Sequence, residues 1–137
     1  MIWCKYTFSE LNTKFNLLDL GGRYAGTWKK FPTGKEPVDM GYEMEKTSKT
    51  KNIIKHPGYV REATTAAKQH CKTLVDAKGH GCNHFQVCVL PRGAGCVGCG
   101  KGERKVQVEY FRADPPLTSD EPLEKAPHCT TYYKRNN

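Results

Sequence analysis

The segment from about residue 59 to residue 78 constrains the fold most, because it has a sustained helical period. Its small apolar residues recur at steps of three and four positions, and Gly79 supplies a C-terminal stop. These residues are Ala63, Ala66, Ala67, Cys71 and Leu74. An apolar stripe made mostly of alanine is thin, which suits close packing on a β-sheet. We therefore predict one helix here, lying on a sheet.

Strand patterns lie on both sides of this helix. Residues 85–90 and 106–111 alternate with period two, and residues 12–28 show the alternation of a hairpin with Gly21 and Gly22 at its turn. Strand, turn, strand, helix, strand, loop, strand is the order of an α/β domain, in which the helix crosses between strands as a right-handed connection. The sequence thus predicts an α/β fold.

Two segments lack a clear period. Residues 36–56 are polar and charged, which favours a solvated loop or insertion, or alternatively a lysine arm that lies on RNA. Residues 113–137 are Pro-rich and end in basic residues. We expect a single α/β domain over residues 1–112, with a polar insertion near 36–56, and an irregular C-terminal tail over 113–137.

The chain of 137 residues has a formal net charge of +8 and a pI near 9.2. This excess of positive charge favours a polyanionic partner such as nucleic acid, although many secreted and other soluble proteins are equally basic. No apolar run approaches the roughly 20 residues that cross a bilayer, so we expect no membrane partner. Residues 1–6 show neither the apolar core of a secretory signal nor the character of an organellar presequence.

The seven cysteines are an odd number, and no secretory signal accompanies them. Free thiols or a bound metal are therefore expected in preference to a disulfide framework. Cys82, His84, Cys96 and Cys99 are candidate zinc ligands, and the last two have the usual C-x-x-C spacing. Cys88 has the pattern of a core thiol.

Catalysis by a cysteine is a weaker hypothesis. Cys82 near His84, or Cys71 near His70, supplies the atoms of a thiolate and its base. Pairs so close in sequence rarely have catalytic geometry, which normally assembles from separate elements. We expect a protein that is not an enzyme.

Basic residues cluster in loops that carry glycine. Lys29, Lys30 and Lys35 follow the first hairpin. The glycine-rich loop at 91–102 follows a strand, and such a loop can present backbone N–H groups to a phosphate. Because Lys101 is followed by Gly102, the loop lacks the Ser or Thr that holds magnesium in a nucleotide-binding P-loop.

Several segments line up in order with one known pattern: an alternating hairpin, an Ala-rich helix before a central strand, a glycine loop, and a Pro-His motif before a basic end. They are residues 12–19, 24–28, 66–71, 85–89, 92–95 and 127–129. This pattern resembles the universal small-subunit ribosomal proteins of the S-eleven family. The long N-terminal basic extension and the second helix of that family have no counterpart in the pattern.

The resemblance implies an α/β fold with a mixed β-sheet and a packed helix or helices. It implies a structural, noncatalytic role on the platform of the small ribosomal subunit, with no cofactor. The implied partners are small-subunit ribosomal RNA, neighbouring small-subunit ribosomal proteins, and messenger RNA near its exit site. The sequence drift, the cysteines and the modest pI point to a divergent mitochondrial version.

The residues expected to contact RNA are the basic loop and tail residues, together with a tyrosine, Tyr132 or Tyr133, that stacks on a base or ribose. The basic residues and Tyr132 form this set: Arg23, Lys29, Lys30, Lys35, Arg92, Lys101, Arg104, Lys105, His128, Tyr132, Lys134 and Arg135. Two other classes stay open. One is a small zinc-binding regulatory module that uses the four ligands above, and the other is a secreted protein stapled by its cysteines.

Overall fold

A computed structural model describes residues 28–134. One helix and seven strands are present in this part of the chain. In chain order they are β1 (Trp28–Lys30), β2 (Lys35–Pro37), β3 (Tyr42–Asn52), α1 (Tyr59–Thr73), β4 (His84–Leu90), β5 (Glu103–Arg112), β6 (Leu123–Lys125) and β7 (Cys129–Lys134). The α/β fold predicted from the sequence is confirmed. The hairpin predicted over 12–28 lies almost wholly outside the described residues.

Five strands form the main sheet in the order β1-β7-β4-β5-β3, and β2 pairs with β6 in a second, two-stranded sheet. Every hydrogen-bonded strand pair between residues 28 and 134 is antiparallel. The mixed sheet implied by the resemblance is therefore not seen in these pairings. α1 connects β3 with β4, which run in the same direction because each is antiparallel to β5 between them.

α1 packs across one face of the main sheet with its small residues. Thr64, Ala67 and Cys71 are buried at spacings of three and four, and Ala67 and Cys71 are each only 1% exposed. Ala67 and Cys71 belong to one core cluster with Phe85 and Val108 of the sheet. Of the alanines in the predicted stripe, Ala67 is buried, Ala63 is half-buried and Ala66 is exposed, so the predicted stripe forms only part of the contact with the sheet.

The helix ends five residues before its predicted boundary. Leu74 has an extended backbone, and its N–H donates to the His70 carbonyl. A disulfide joins Cys71 to Cys82, and the Cys82 N–H donates to the Leu74 carbonyl. The segment after Thr73 is thus held against the start of β4 instead of continuing the helix.

The prediction of a polar loop near 36–56 was wrong over residues 42–52. Residues Tyr42–Asn52 form β3, the longest strand described, which pairs with β5 along its length with one register shift between Glu43 and Glu45. Most of its side chains are exposed, including Lys46, Thr47 and Ser48. An edge strand with so few buried side chains shows little hydrophobic alternation, so its sequence lacks the usual strand signal.

The prediction of an irregular tail over 113–137 was wrong for residues 123–125 and 129–134, which form strands, while residues 113–122 contain no helix or strand. Residues 123–125 form β6, and β7 lies inside the main sheet between β1 and β4. In β7, Cys129, Thr131 and Tyr133 are buried and their neighbours are half-buried. Because threonine and tyrosine occur on both faces of β7, its sequence shows no alternation of apolar and polar residues. The strands β6 and β7 belong to the same folded unit as the rest of the described chain.

Six cysteines form disulfides, which contradicts the expectation of free thiols or a metal. The pairs are Cys71–Cys82, Cys88–Cys129 and Cys96–Cys99. Cys88–Cys129 joins the facing positions of β4 and β7, and Cys96–Cys99 closes the tip of the glycine-rich loop. The odd count arises from Cys4, which lies outside the described residues.

Between residues 28 and 134, no helix is long and apolar enough to cross a membrane.

Thiol titration tests the pairing. Unfolded protein kept without reductant should contain at most one thiol that reacts with Ellman's reagent, because six of the seven cysteines are paired. The same sample after full reduction supplies the control and should show all seven thiols. Several reactive thiols before reduction would contradict the disulfides, and peptide mapping of the unreduced protein would identify which pair is absent.

Candidate anion-binding site

Side chains from α1 and β7 face one another along a seam, which we call the α1–β7 seam: Val60, Thr64 and Lys68 on the helix, and Thr130, Tyr132 and Lys134 on the strand. The three helix residues are spaced by four and lie on one helix face, while the strand residues alternate and lie on one sheet face. Lys68 Nζ lies 5.7 Å from the centre of the Tyr132 ring. The helix and the strand thus place hydroxyl groups at one end of the seam and ammonium groups at the other.

The ammonium end is crowded with positive charge. Lys134 Nζ lies 5.8 Å from the centre of the Trp28 ring. Burial, together with the nearby ammonium of Lys72, lowers the pKa of Lys134 below its ordinary value. On β1, Lys30 is paired across the strands with Tyr132. This end of the seam would therefore gain electrostatic free energy from an anionic ligand.

Carboxylates are scarce in the elements that build the seam. β1, α1 and β7 contain one acidic residue, Glu62, in the first turn of the helix. The same elements contain six lysine and arginine residues: Lys29, Lys30, Arg61, Lys68, Lys72 and Lys134. The excess of cations is thus concentrated on three adjoining elements.

Aromatic packing fixes the position of Tyr132. The Phe85 ring, which is fully buried, stacks on Tyr132 at 5.1 Å and meets the edge of Trp28 at 5.2 Å. One face of Tyr132 is covered by Phe85, and Lys68 approaches the ring as well. Tyr132 therefore contacts Lys68, while Phe85 occupies one of the two ring faces on which a base could stack. Tyr133 is buried against Phe31 at 4.4 Å, so the prediction that it stacks on a base was wrong.

The hydroxyl end of the seam is a groove of about 280 Å³. Threonine hydroxyls, a histidine and apolar side chains line it: Thr33, Val60, Thr64, Val87, Val89, His128, Thr130 and Tyr132. Thr33 Oγ1 and Thr130 Oγ1 lie 3.0 Å apart, and the Thr64 hydroxyl donates to the Val60 carbonyl at 2.8 Å. The groove joins the lysine cluster at Tyr132, which belongs to both.

A second groove, of about 290 Å³, lies on the other side of α1 against β3 and β5. Lys49 and Tyr59 line it, and Lys51 Nζ lies 5.1 Å from the centre of the Tyr59 ring. Near its far end the Glu45 carboxylate pairs with His70 at 2.7 Å. This groove therefore combines both signs of charge and suits an anion less well than the α1–β7 seam.

The opposite face of the sheet presents carboxylates. Gln86 Nε2 donates to Glu36 at 2.6 Å and to Thr131 Oγ1 at 3.1 Å. Burial raises the pKa of Glu109, and the neighbouring carboxyl of Glu43 raises it further. Lys29, Lys46 and Lys105 point to this face as well, so it combines both signs of charge, whereas α1 and β7 contain one carboxylate.

The structure brings together four of the residues predicted to bind RNA: Lys30, His128, Tyr132 and Lys134. The others are placed elsewhere. Lys29 faces the side of the sheet away from Tyr132, and Lys35 is exposed on β2. Arg92 and Lys101 are exposed on the glycine-rich loop.

Two more residues that were predicted to bind RNA, Arg104 and Lys105, lie on β5. Arg104 donates to the Glu103 carbonyl, and Lys105 points to the face opposite the buried Val106. Arg23 and Arg135 lie outside the described residues.

Sequence reasoning missed Lys68 and Lys72. Their signal was present, since both continue the four-residue spacing of Val60 and Thr64 along the predicted helix. The sequence did not show which side of the helix faces β7, because the segment that forms β7 was predicted to be irregular.

The disulfides remove the free thiolates that the predicted zinc site requires. Cys82 is bonded to Cys71 and Cys96 to Cys99, while His84 is fully buried and stacks on Phe111 at 5.1 Å. Residues 28–134 contain no group of three or more His, Cys, Asp or Glu residues that could hold a metal ion. The proposed Cys–His catalytic pairs lose their thiolates too, because Cys71 and Cys82 are bonded to each other.

Comparisons with known protein families, with curated proteins and with solved structures find no match to this chain. The resemblance to the S-eleven family therefore depends on the sequence segments alone, and function must be argued from the geometry.

The buried His84 should make stability depend on pH. Burial lowers its pKa from 6.5 to about 4. Because the unfolded chain takes up this proton first, stability is lost as pH falls from about 6.5 towards 4, by up to about 3 kcal/mol. Urea unfolding at a series of pH values measures the loss.

The His84→Gln variant, which carries no titrating group at this position, is the control. Its free energy of unfolding should vary less than that of the original chain between pH 7 and pH 4. Equal pH dependence of the two proteins would show that His84 does not stay neutral in the folded state.

Proposed function

We propose that this protein binds RNA without catalysis, through the phosphates of a strand that lies along the α1–β7 seam. The observation that carries the proposal is the position of Lys134. Its ammonium lies over the Trp28 ring, and burial, followed by the nearby ammonium of Lys72, lowers its pKa. β1, α1 and β7 contain one carboxylate. Phosphate groups at this end of the seam would offset the repulsion between the cations.

A linear polyanion fits this surface better than a compact anion does. The cations follow the helix and the strand in one direction, from Lys68 beside Tyr132 to Lys134 beside Trp28. Successive phosphates of a nucleic acid strand present charge in the same linear way. The adjoining groove offers hydroxyl and apolar surface of the kind that contacts a ribose or a base. Together these features favour nucleic acid over an isolated phosphate.

Removing seam lysines should weaken RNA binding and its dependence on salt. For single-stranded RNA, each lost phosphate contact reduces the slope of log K against log salt concentration by about 0.7. Lys68→Gln and Lys134→Gln should each show this reduction, measured by fluorescence anisotropy with labelled oligouridine over a range of salt concentrations. Circular dichroism should confirm that the variants are folded.

Lys125→Gln is the matched control, because Lys125 is exposed on β6, outside the seam. Its affinity and salt slope should stay close to those of the unaltered protein. If Lys125→Gln weakened binding as much as Lys68→Gln does, the charge of the whole protein would be responsible and the site would be misplaced.

The resemblance supports a narrower proposal, a structural role in the mitochondrial small ribosomal subunit beside its RNA and neighbouring proteins. Three disulfides speak against it, because such bonds are typical of oxidising compartments. The disulfides instead favour RNA binding by a secreted protein.

Co-sedimentation with small ribosomal subunits distinguishes a ribosomal protein from a secreted RNA-binding protein. A ribosomal protein should remain with purified small subunits at high salt, as an integral chain embedded in RNA. The ribosomal proposal would fail if the protein left the particle completely at a salt concentration that integral ribosomal proteins withstand. Loss of the protein from the particle would contradict only the ribosomal role, and the proposal that the α1–β7 seam binds RNA would still stand.

A further inference from the structure

We infer that the threonine-lined groove is a subsite for one unpaired ribonucleotide and that its Thr33–Thr130 hydroxyl pair recognises the ribose 2′-hydroxyl. This inference deepens the proposed RNA binding and rests on it. In this arrangement the phosphate lies at the lysine end of the seam, and the ribose and base lie at the hydroxyl end.

The first support is the alignment of the groove with the cations. Thr64 lines the groove, and Lys68 follows it by one helical turn, a rise of about 5.4 Å per turn. On β7, Tyr132 lines the groove and Lys134 follows on the same face of the strand. A strand whose phosphate lies at the lysines would therefore direct its neighbouring ribose towards the threonines.

The second support is the hydrogen-bonding chemistry of the two hydroxyls. Thr33 Oγ1 and Thr130 Oγ1 lie 3.0 Å apart, so one of the two protons is used between them. The pair still offers one O–H donor and free lone pairs on its oxygen atoms. A ribose 2′-hydroxyl both donates and accepts, and deoxyribose has no such group. The two threonine hydroxyls can therefore form hydrogen bonds with the 2′-hydroxyl of RNA, and DNA has no group at this position with which they could bond.

The third support is the size of the groove. Its volume of about 280 Å³ is just below the range of drug-sized ligand sites, roughly 300–1,000 Å³. Val60, Val87 and Val89 supply apolar surface at its walls. A space of this size suits a single nucleotide whose base is not paired, and sequence-tolerant contacts of this kind are typical of single-stranded RNA.

Anisotropy titrations with three labelled probes test the inference: oligouridine, oligodeoxyuridine of the same length, and a duplex RNA. The unaltered protein should bind oligouridine about three to ten times more tightly than oligodeoxyuridine, the contribution of one or two hydrogen bonds. Duplex RNA should bind more weakly than oligouridine, because its nucleotides cannot enter the groove.

The variant Thr33→Val/Thr130→Val keeps the side-chain shape and removes both hydroxyls. Its affinity for oligouridine should fall to that for oligodeoxyuridine, while its affinity for oligodeoxyuridine should not change. Thr65→Val is the matched control, because Thr65 is exposed on α1 and is not among the residues that line the groove. It should retain the preference for RNA.

Two failures can be told apart. If the unaltered protein binds oligouridine and oligodeoxyuridine equally and Lys68→Gln weakens both, the proposed function holds and the hydroxyl subsite is wrong. If neither probe binds with a dependence on salt, both proposals fail. A double valine variant that loses affinity for both probes to the same degree would also overturn the recognition of the 2′-hydroxyl.

Discussion

The packing of α1 on one face of the main sheet is the constraint on which the rest of the structure depends. It requires small residues where helix and sheet touch, and Ala67 and Cys71 supply them, each 1% exposed. The Cys71–Cys82 disulfide ties the end of the helix to the chain that enters β4. On this side of the sheet, Phe85 contacts both Trp28 and Tyr132, and these contacts hold the two aromatic rings in place in the α1–β7 seam.

The charges on the two sides of the main sheet are arranged differently. On the helix side, α1 and β7 carry Lys68, Lys72 and Lys134 and contain one carboxylate, Glu62. The other side combines the carboxylates of Glu36, Glu43 and Glu109 with the lysines Lys29, Lys46 and Lys105. An approaching polyanion would therefore be attracted most strongly to the α1–β7 seam, where cations outnumber carboxylates.

Much of the core could be predicted because its residues repeat with a regular period. α1, β4 and β5 were found from small residues at steps of three and four and from alternating apolar residues. β3 and β7 were missed because a polar edge strand and a Thr/Tyr strand show no contrast between their two faces. The disulfides were missed because pairing depends on which strands are neighbours, as for Cys88 and Cys129. His128, Tyr132 and Lys134 of the proposed seam were predicted from the basic and aromatic residues at the end of the sequence, whereas Lys68 and Lys72 required knowledge of which strand the helix faces.

Mapping the contact surface by nuclear magnetic resonance tests the central claim most directly. Isotope-labelled protein with its disulfides intact would be titrated with oligouridine, and changes in amide chemical shifts would be followed residue by residue. We predict that the largest changes occur at Thr64, Lys68, Thr130 and Tyr132. Largest changes at Glu36, Gln86 and Glu109 on the opposite face, with none along the seam, would contradict the account.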